Sequence, residues 1–329
     1  MSSESNQPAL RCEGLTKSFV VRHRDGVLRR RKVEVTAVAD VTFEVAPGEM
    51  VGYLGPNGAG KSTTIKMITG ILTPTAGQVA TLGIDPVRRR TELARRIGVV
   101  FGQRTQLWWD LPLADSFELL HHVYRTDSAR HAENLAAFVE LLDMGSFIQT
   151  PVRQLSLGQR MRGELTAALL HDPDLVVLDE PTIGLDVVSK HAVRDFLAEL
   201  NQERGTTVLL TTHDLDDVER LCSRMMIIDH GRVIHDGSVA GFKADYGTRR
   251  TVVVDLVDEQ PPLDVAHTTV VRVDGRRQWL SFDRGETTAA AVVAGIAAAT
   301  ALEDLSVEEP EIEDLVREVY GRLPPDAAT

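Results

Sequence analysis

The sequence predicts an α/β fold, with a mostly parallel central sheet covered by helices and a small α+β domain after it. Two runs, LVVLDE (175–180) and TTVLLTTH (206–213), are almost continuously apolar, which is typical of strands buried on both faces. A helical pattern over 187–204 separates them, as in parallel sheets with helical crossovers. After residue 246 the pattern changes to short alternating strands, which indicates a second domain.

The bulk composition is that of a globular protein with ample core. The chain has 329 residues, of which 43% are hydrophobic and 26% charged. A net charge of -12 argues against a phosphate-tracking surface, so we expect no nucleic-acid partner. Cys12 and Cys222 are too few for a disulfide framework, which favours a reducing, cytosolic setting. No signal peptide is expected, and the longest uncharged apolar stretch, roughly 289–302, is too short to cross a bilayer.

The elements before residue 112 follow from local pattern. We predict strands over 10–21 and 33–45, separated by the basic stretch RHRDGVLRRRK, and then a turn at Pro47-Gly48. EMVGYL is a short apolar strand that stops at Gly55, and apolar residues at helical spacing follow Lys61. RIGVVF (96–101) is a further buried strand.

The remaining elements are a helical region and two mixed segments. Residues 112 to about 170 have a helical pattern, broken at Thr150-Pro151. RMMIIDHGRVIHDG predicts a closing hairpin with Gly231 in its turn. Residues 247–329 predict alternating strands, an alanine-rich helix and an acidic helix over 308–322.

A phosphate-binding loop is indicated by GPNGAGKST, which follows a strand and opens a helix. Its glycines let backbone N–H groups turn inward, and the helix N-terminus adds partial positive charge. Lys61 is expected to reach the β- and γ-phosphates, and the Ser62 hydroxyl to ligate Mg²⁺. The predicted nucleotide-binding residues here are Gly55, Asn57, Gly58, Ala59, Gly60, Lys61, Ser62 and Thr63.

A second carboxylate site is supplied by LVVLDEP. Asp179, at the end of a hydrophobic strand, is expected to hold Mg²⁺. Glu180 beside it is the candidate general base that acts on water. Acidic residues often end strands, so this pair gains its meaning from the phosphate-binding loop upstream.

The stretch LSLGQRMRGEL (155–165) places a serine at a helix start with a glycine two residues later. With the two preceding motifs, it makes residues 10–245 resemble the ATPase subunits of ATP-binding cassette (ABC) transporters. The resemblance implies a P-loop NTPase fold with an antiparallel β subdomain and a helical subdomain. It also implies that Ser156, Gly158 and Gln159 contact the ATP held by the other protomer. Leu157 departs from the family, which more often has glycine there.

The resemblance assigns four further residues. Gln103 matches the Q-loop, which links the helical subdomain to Mg²⁺ and water, and Asp186 matches the D-loop at the dimer interface. His213 matches the switch histidine that contacts the γ-phosphate. Phe19 is the candidate aromatic that stacks on adenine, with a core phenylalanine as the alternative.

Two stretches allow more than one interpretation. Trp108 and Trp109 are either buried core residues or anchors beneath a membrane subunit, and their surroundings resemble the ATPases of drug and viologen exporters. The basic insertion 22–32 is either a solvated loop or a contact with anionic lipid headgroups or acidic permease loops. Translation factors of this family carry two cassettes in one chain and the DNA-repair ATPases carry a long heptad-bearing insertion, and this sequence has neither feature. An ordinary P-loop kinase would leave LSLGQ, Asp186 and His213 unexplained.

The expected organisation is a flexible segment 1–8, a nucleotide-binding domain 9–246 with its helical subdomain at about 104–170, and an accessory domain 247–329. The expected function is ATP binding and hydrolysis, with Mg²⁺, to power a separate permease, most simply for export. The resemblance implies two permease subunits, and a homodimer or heterodimer of ATPase subunits on the cytoplasmic face of the membrane.

Overall fold

The computed structural model describes residues 7–25, 29–101 and 105–322, and it divides the chain into two compact units. The first unit extends to Gly237 and the second begins at Ser238. The expected flexible segment 1–8 falls mostly outside the described residues. The side chains of residues 22–31 are also outside the described part of the structure.

The first unit contains a six-stranded sheet that is parallel at its centre. Its order is β5-β6-β7-β3-β8-β9, and the pairs β5–β6, β6–β7, β7–β3 and β3–β8 are all parallel. The strands are β3 (Met50–Leu54), β5 (Ile97–Phe101), β6 (Leu175–Asp179), β7 (Thr207–Thr211), β8 (Arg224–Asp229) and β9 (Arg232–Ser238). The predicted fold class is confirmed.

A three-stranded antiparallel sheet precedes and flanks the parallel one. Its order is β2-β1-β4, formed by β1 (Leu10–Asp25), β2 (Arg29–Val45) and β4 (Ala76–Thr81). The backbone pairing of β1 with β2 continues to Asp25 opposite Arg29. The interpretation of 22–32 as a loop was therefore wrong, because the hairpin ladder extends through most of that charged stretch.

The helices of the first unit are α1 (Lys61–Ile68), α2 (Arg90–Ala94), α3 (Leu113–Tyr124), α4 (Ser128–Leu141), α5 (Leu157–Leu169), α6 (Val187–Arg204) and α7 (Leu215–Leu221). The predicted helical region is broken twice. Besides the expected break near Pro151, α3 ends where Arg125 adopts φ 56°, and Asp127 caps α4 by accepting from Ala129 and Arg130 N–H. No described helix is long and apolar enough to cross a membrane.

The second unit has its own sheet and core. It comprises α8 (Val239–Tyr246), β10 (Arg249–Leu256), β11 (Thr268–Asp274), β12 (Arg277–Asp283), α9 (Ala289–Ala299), β13 (Leu302–Glu308) and α10 (Ile312–Arg322). The antiparallel order is β11-β12-β10-β13, and Val292 and Ile296 of α9 pack on it. The structure divides the chain before α8, whereas the sequence placed the boundary after it, because α8 lies near α10.

Candidate functional site

The carboxyl ends of β3, β6 and β7 meet at one edge of the parallel sheet. Asp179 is paired with Thr211, and Thr211 in turn with Tyr53. In open α/β sheets, ligands bind outside the carboxyl ends of the strands. The predicted phosphate-binding loop, the carboxylate pair and His213 all line one cavity of about 790 Å³ at this edge.

The phosphate-binding loop, residues 55–63, owes its shape to close backbone contacts. A Cβ on Gly60 would lie 2.5 Å from the Ala37 carbonyl oxygen, and one on Gly55 would lie 2.4 Å from that of Ile228. Gly60 also has φ 109°, and as the residue before α1 it offers no side chain to cap the helix. The N–H groups of the first turn of α1 are therefore left for an anion, as the loop motif predicts.

Lys61 is folded over this loop. Its Nζ donates to the carbonyl oxygens of Gly55 at 2.5 Å and Pro56 at 3.1 Å. Burial lowers the pKa of Lys61, and the carboxylates of Glu180 and Asp179 act in the opposite direction. The ammonium thus lies between two backbone acceptors and two acids, where it can meet an anionic ligand.

Two of the metal-binding residues that the sequence proposed, Ser62 and Asp179, lie next to each other. Ser62 Oγ is 3.4 Å from Asp179 Oδ2, and Thr211 Oγ1 donates to Asp179 Oδ1 at 2.6 Å. A hydroxyl and a carboxylate are hard oxygen donors, the class that Mg²⁺ prefers. The pair therefore fits Mg²⁺, with Thr211 holding the orientation of the carboxylate.

Glu180 and His213 form the second pair at the cavity. His213 Nδ1 lies 2.5 Å from Glu180 Oε2, so the imidazole donates Nδ1–H to the carboxylate and leaves Nε2 free of this bond. Glu180 adopts φ 58°, a region that is uncommon for residues other than glycine. Its backbone N–H donates to Thr211 O at 2.9 Å, which anchors the strained residue to β7.

A buried ionic network supports the segment after Glu180, and sequence reasoning missed it. Asp217 is fully buried and accepts from Thr182 Oγ1 and Arg194 Nε, each at 2.5 Å. Arg194 also reaches Asp214, the residue after His213, which pairs with Lys190 at 2.6 Å. The network ties the loops after β6 and β7 to α6 and α7.

The signature stretch, residues 155–159, begins α5 with a complete capping box. Gln159 N–H donates to Ser156 Oγ at 3.2 Å, and Ser156 N–H donates to Gln159 Oε1 at 2.9 Å. Ser156 is exposed and is not among the residues that line the cavity of its own chain. Packing within the chain requires a glycine at this position, because a Cβ on Gly158 would lie 2.5 Å from Ser189 Oγ.

The signature stretch therefore packs on the loop that carries Asp186. Asp186 caps α6, accepting from Ser189 N–H at 2.9 Å and Ser189 Oγ at 2.8 Å. These bonds lower the pKa of the Asp186 carboxyl. Leu157, where the family more often has glycine, lies over Gly184, whose hypothetical Cβ would be 2.9 Å from Leu157 Cδ2.

Glu164 is a functional candidate that the sequence did not single out. It is buried on α5, and its carboxylate accepts from Thr105 Oγ1 and from Gln106 N–H at 3.2 Å. Gln106 Nε2 also donates to Glu164 O at 3.2 Å. The signature helix is thereby fixed to the chain immediately after the proposed Q-loop.

Four residues that the sequence singled out have other outcomes. Gln103 lies outside the described residues. Phe19 is 37% exposed, carries Lys17 Nζ 5.3 Å from its ring centroid, and does not line the cavity. Trp108 and Trp109 are 40% and 49% exposed, which excludes the core alternative for both.

Comparison with known proteins identifies the family of this chain. Residues 38–183 match the family described as ABC transporter. A daunorubicin resistance ATP-binding protein of Streptomyces coeruleorubidus is 35% identical over 300 residues, which are 89% of this chain and 93% of that protein. The ABC transporter ATP-binding protein NatA of Bacillus subtilis is 34% identical over 64% of this chain and 85% of its own length. A Nod factor export ATP-binding protein of Paraburkholderia xenovorans is 39% identical over 62% of this chain and 67% of its own length.

Solved structures extend the similarity to the fold. An ATP-binding subunit of an ABC transporter matches with a TM-score of 0.62 and 28% identity, covering 73% of this chain and 93% of that one. A dimeric ATP-binding cassette in a post-hydrolysis state with ADP and Pi matches with a TM-score of 0.61 and 26% identity, covering 70% and 98%. This chain belongs to the ATP-binding, ATP-hydrolysing subunits of ABC transporters.

Proposed function

We propose that two copies of this subunit, or one copy and a related chain, close around ATP, each site joining the phosphate-binding loop of one chain to the signature stretch of the other. The main observation in support of this proposal is that Ser156 is exposed and lies outside the cavity lined by Lys61, Asp179 and Glu180. Two such chains related by symmetry would place each signature over the partner's cavity.

Within each site, this chain's residues divide the work on the substrate ATP. Backbone N–H groups of the loop and Lys61 Nζ bind the β- and γ-phosphates. Glu180, oriented by Nδ1–H of His213, accepts the proton of the attacking water, and His213 Nε2 contacts the γ-phosphate. Ser62, Asp179 and Gln103 would hold Mg²⁺, which when bound neutralises charge on the phosphate oxygens.

The remaining binding residues surround the nucleotide. Asn57, Gly58, Ala59 and Thr63 complete the loop around the phosphates. Phe19 is not part of the cavity lining, so its place against adenine is proposed from the family resemblance. On the partner side, Ser156, Gly158 and Gln159 present the start of α5, with Asp186 beside them at the dimer interface. The capping box of Ser156 keeps that helix start ordered before the partner arrives.

The transport function requires membrane subunits. We propose a complex with two permease subunits, peripheral on the cytoplasmic face of the membrane, working in export as the names of several relatives suggest. Trp108 and Trp109 support a contact of this kind, since both are exposed and Arg160 lies 5.8 Å from the Trp109 ring centroid. The second unit is proposed as an accessory domain.

The composite site is tested by mixing two inactive variants. Ser156→Arg should keep ATP binding but lose dimerisation and hydrolysis, while Lys61→Ala should weaken ATP binding itself. In a mixed dimer both defects fall on one site, and the other joins an intact Lys61 to an intact Ser156. Partial recovery of ATPase activity is expected in the mixture alone.

A failure of recovery has two readings that size-exclusion chromatography separates. If Ser156→Arg alone still dimerises with ATP, Ser156 does not act across the interface and the proposal fails. If it stays monomeric and mixed dimers still form without activity, two intact sites are needed for turnover. Ser156→Ala, which removes a cap contributing about 1 kcal/mol, controls for loss of helix stability.

A further inference from the structure

The end of α3 carries a cluster of metal-type ligands that the ATPase site does not use. Glu118, His121 and His122 are spaced i, i+3 and i+4, so all three lie near one another on the helix surface. One ligand atom from each lies within 4.8 Å of the other two. From the sequence, His121 and His122 are expected to be helix surface without a third ligand, but Glu118 one turn earlier supplies one.

Glu118 and His122 have the spacing of two ligands on one metal. His122 Nε2 lies 3.3 Å from Glu118 Oε1. Two ligands at about 2.0–2.1 Å from a tetrahedral zinc ion are about 3.4 Å apart. Both side chains are exposed, 69% and 63%, so they can adjust to an ion without disturbing the core.

The third ligand is oriented by the turn between α3 and α4. His121 Nδ1 lies 3.1 Å from Thr126 Oγ1, whereas Nε2 has only a 3.4 Å contact with Ser128 Oγ. A ligating imidazole ordinarily uses its other nitrogen for a hydrogen bond that fixes the ring. Thr126 and Ser128 therefore hold the ring through its two nitrogens, and an ion would replace the longer contact, that of Nε2 with Ser128.

A second observation points to the same place. His131, in the first turn of α4, is 5% exposed, and its ring centroid is 4.6 Å from that of His121. Neither of its ring nitrogens has a hydrogen-bond partner in the described part of the chain. Buried polar groups nearly always have one, so an unpartnered imidazole marks a position where water or an ion completes the bonding.

We propose that Glu118, His121 and His122 form a binding site for a divalent transition metal of the zinc class, with water completing the coordination and facing His131. Imidazole and carboxylate ligands suit Zn²⁺, whereas Mg²⁺ prefers oxygen donors alone. The site is thus chemically separate from the one at Ser62 and Asp179.

The experiment uses Co²⁺ as the probe on the untagged 329-residue chain, with millimolar Mg²⁺ present to fill oxygen-only sites. One equivalent of Co²⁺ should give the intense visible absorption of a four-coordinate site and be displaced by Zn²⁺. His122→Ala and Glu118→Gln should each weaken Co²⁺ binding on the order of tenfold or more. His191→Ala, an exposed histidine on α6, is the matched control and should bind like the parent.

The melting temperature gives a second readout. Zn²⁺ should raise it for the parent and for His191→Ala, but not for His121→Ala with His122→Ala. The proposal is overturned if Co²⁺ binds the Glu118, His121 and His122 variants with parental affinity, or if the parent shows only a weak six-coordinate spectrum. Circular dichroism confirms that these surface variants fold.

Discussion

The phosphate-binding loop and the signature stretch are fixed in place by different means. The loop is set by backbone packing, since a Cβ at Gly55 or Gly60 would collide with carbonyl oxygens of neighbouring strands. The signature stretch is set by side chains, namely the capping box of Ser156 and the contact of Gly158 with Ser189. A glycine whose Cβ would collide with backbone tolerates almost no substitution. Where the obstacle is a side chain, a second substitution of that side chain can restore the contact.

The two regions also differ in the number of chains that we expect their function to need. The loop, both acids and His213 line one cavity within a single chain, so we expect one chain to bind nucleotide without a partner. The signature stretch adds an exposed helix start, in which the capping box satisfies the N–H groups of Ser156 and Gln159. The following predictions test this division, beginning with the largest effect.

Glu180→Gln should abolish turnover while ATP binding persists. The carboxylate that accepts the proton is lost, but Lys61, Ser62 and Asp179 are unchanged. The expected loss in ATPase rate is about 10²-fold or more, the range of general-base catalysis. Asp195→Asn, an exposed acid on α6, is the control. Parental turnover in Glu180→Gln would remove Glu180 from the role of general base.

Gly60→Ala should damage the loop far more than Gly58→Ala. Both glycines have positive φ, so both alanines carry backbone strain of about 1–2 kcal/mol. Only the Cβ at Gly60 meets a backbone oxygen, at 2.5 Å, while the space at Gly58 is open. The extra cost should be about 1–3 kcal/mol in denaturant unfolding. Calorimetry should show weaker ATP binding for Gly60→Ala, and equal behaviour of the two variants would contradict the packing argument.

Gly158→Ala should be repairable, in contrast to Gly60→Ala. Its Cβ would meet the short side chain of Ser189 rather than backbone, so it should cost about 1–3 kcal/mol of unfolding free energy. Ser189→Gly removes the obstacle and retains the backbone N–H that Asp186 accepts. The double variant should therefore regain part of the stability lost by Gly158→Ala. Strict additivity of the two changes would show that the contact is not limiting.

Much of the fold was predictable because its signals are local. The strands of the parallel sheet are continuously apolar, and α6 has the predicted bounds because Asp186 caps its start and Gly205, at φ 63°, ends it. β4 and β13 were missed because AGQVAT and LEDLSVE are largely exposed edge strands, so burial left no pattern in them. α2 and α7, of five and seven residues, are too short for a clear periodicity.

The residues of the site also fall into those that could be predicted from the sequence and those that could not. Loop and carboxylate residues are contiguous in sequence, and their chemistry could be predicted from spacing. Asp217 with Arg194, and Glu164 with Thr105, join residues distant in sequence, so only the folded chain reveals them. Gly158 was interpreted as a route to a phosphate, and its contact with Ser189 could not be foreseen because it depends on how two helices meet.

Glu164→Gln should give the smallest effect, visible in the pH dependence of stability. Burial raises the pKa of Glu164, against the lowering effect of its bonds from Thr105 and Gln106. A carboxyl with a raised pKa favours the folded state when protonated, so its contribution is complete below the ordinary value of 4.5 and is lost as the pH rises through the raised one. Thermal melts from pH 4 upward should therefore show the glutamine variant gaining relative to the parent. A constant difference would mean that Glu164 does not titrate in this window.

The backbone of Glu180 has a consequence for how this protein would respond to selection. A residue other than glycine at φ 58° reduces folding stability by about 1–2 kcal/mol, and asparagine tolerates this conformation better than glutamate. The residue that we propose accepts the proton from water is thus also one that lowers heat resistance. A population of this gene evolved for thermal survival alone, with transport unneeded, should accumulate asparagine or glycine at position 180. Restoring the demand for transport would return glutamate and reverse part of the thermal gain.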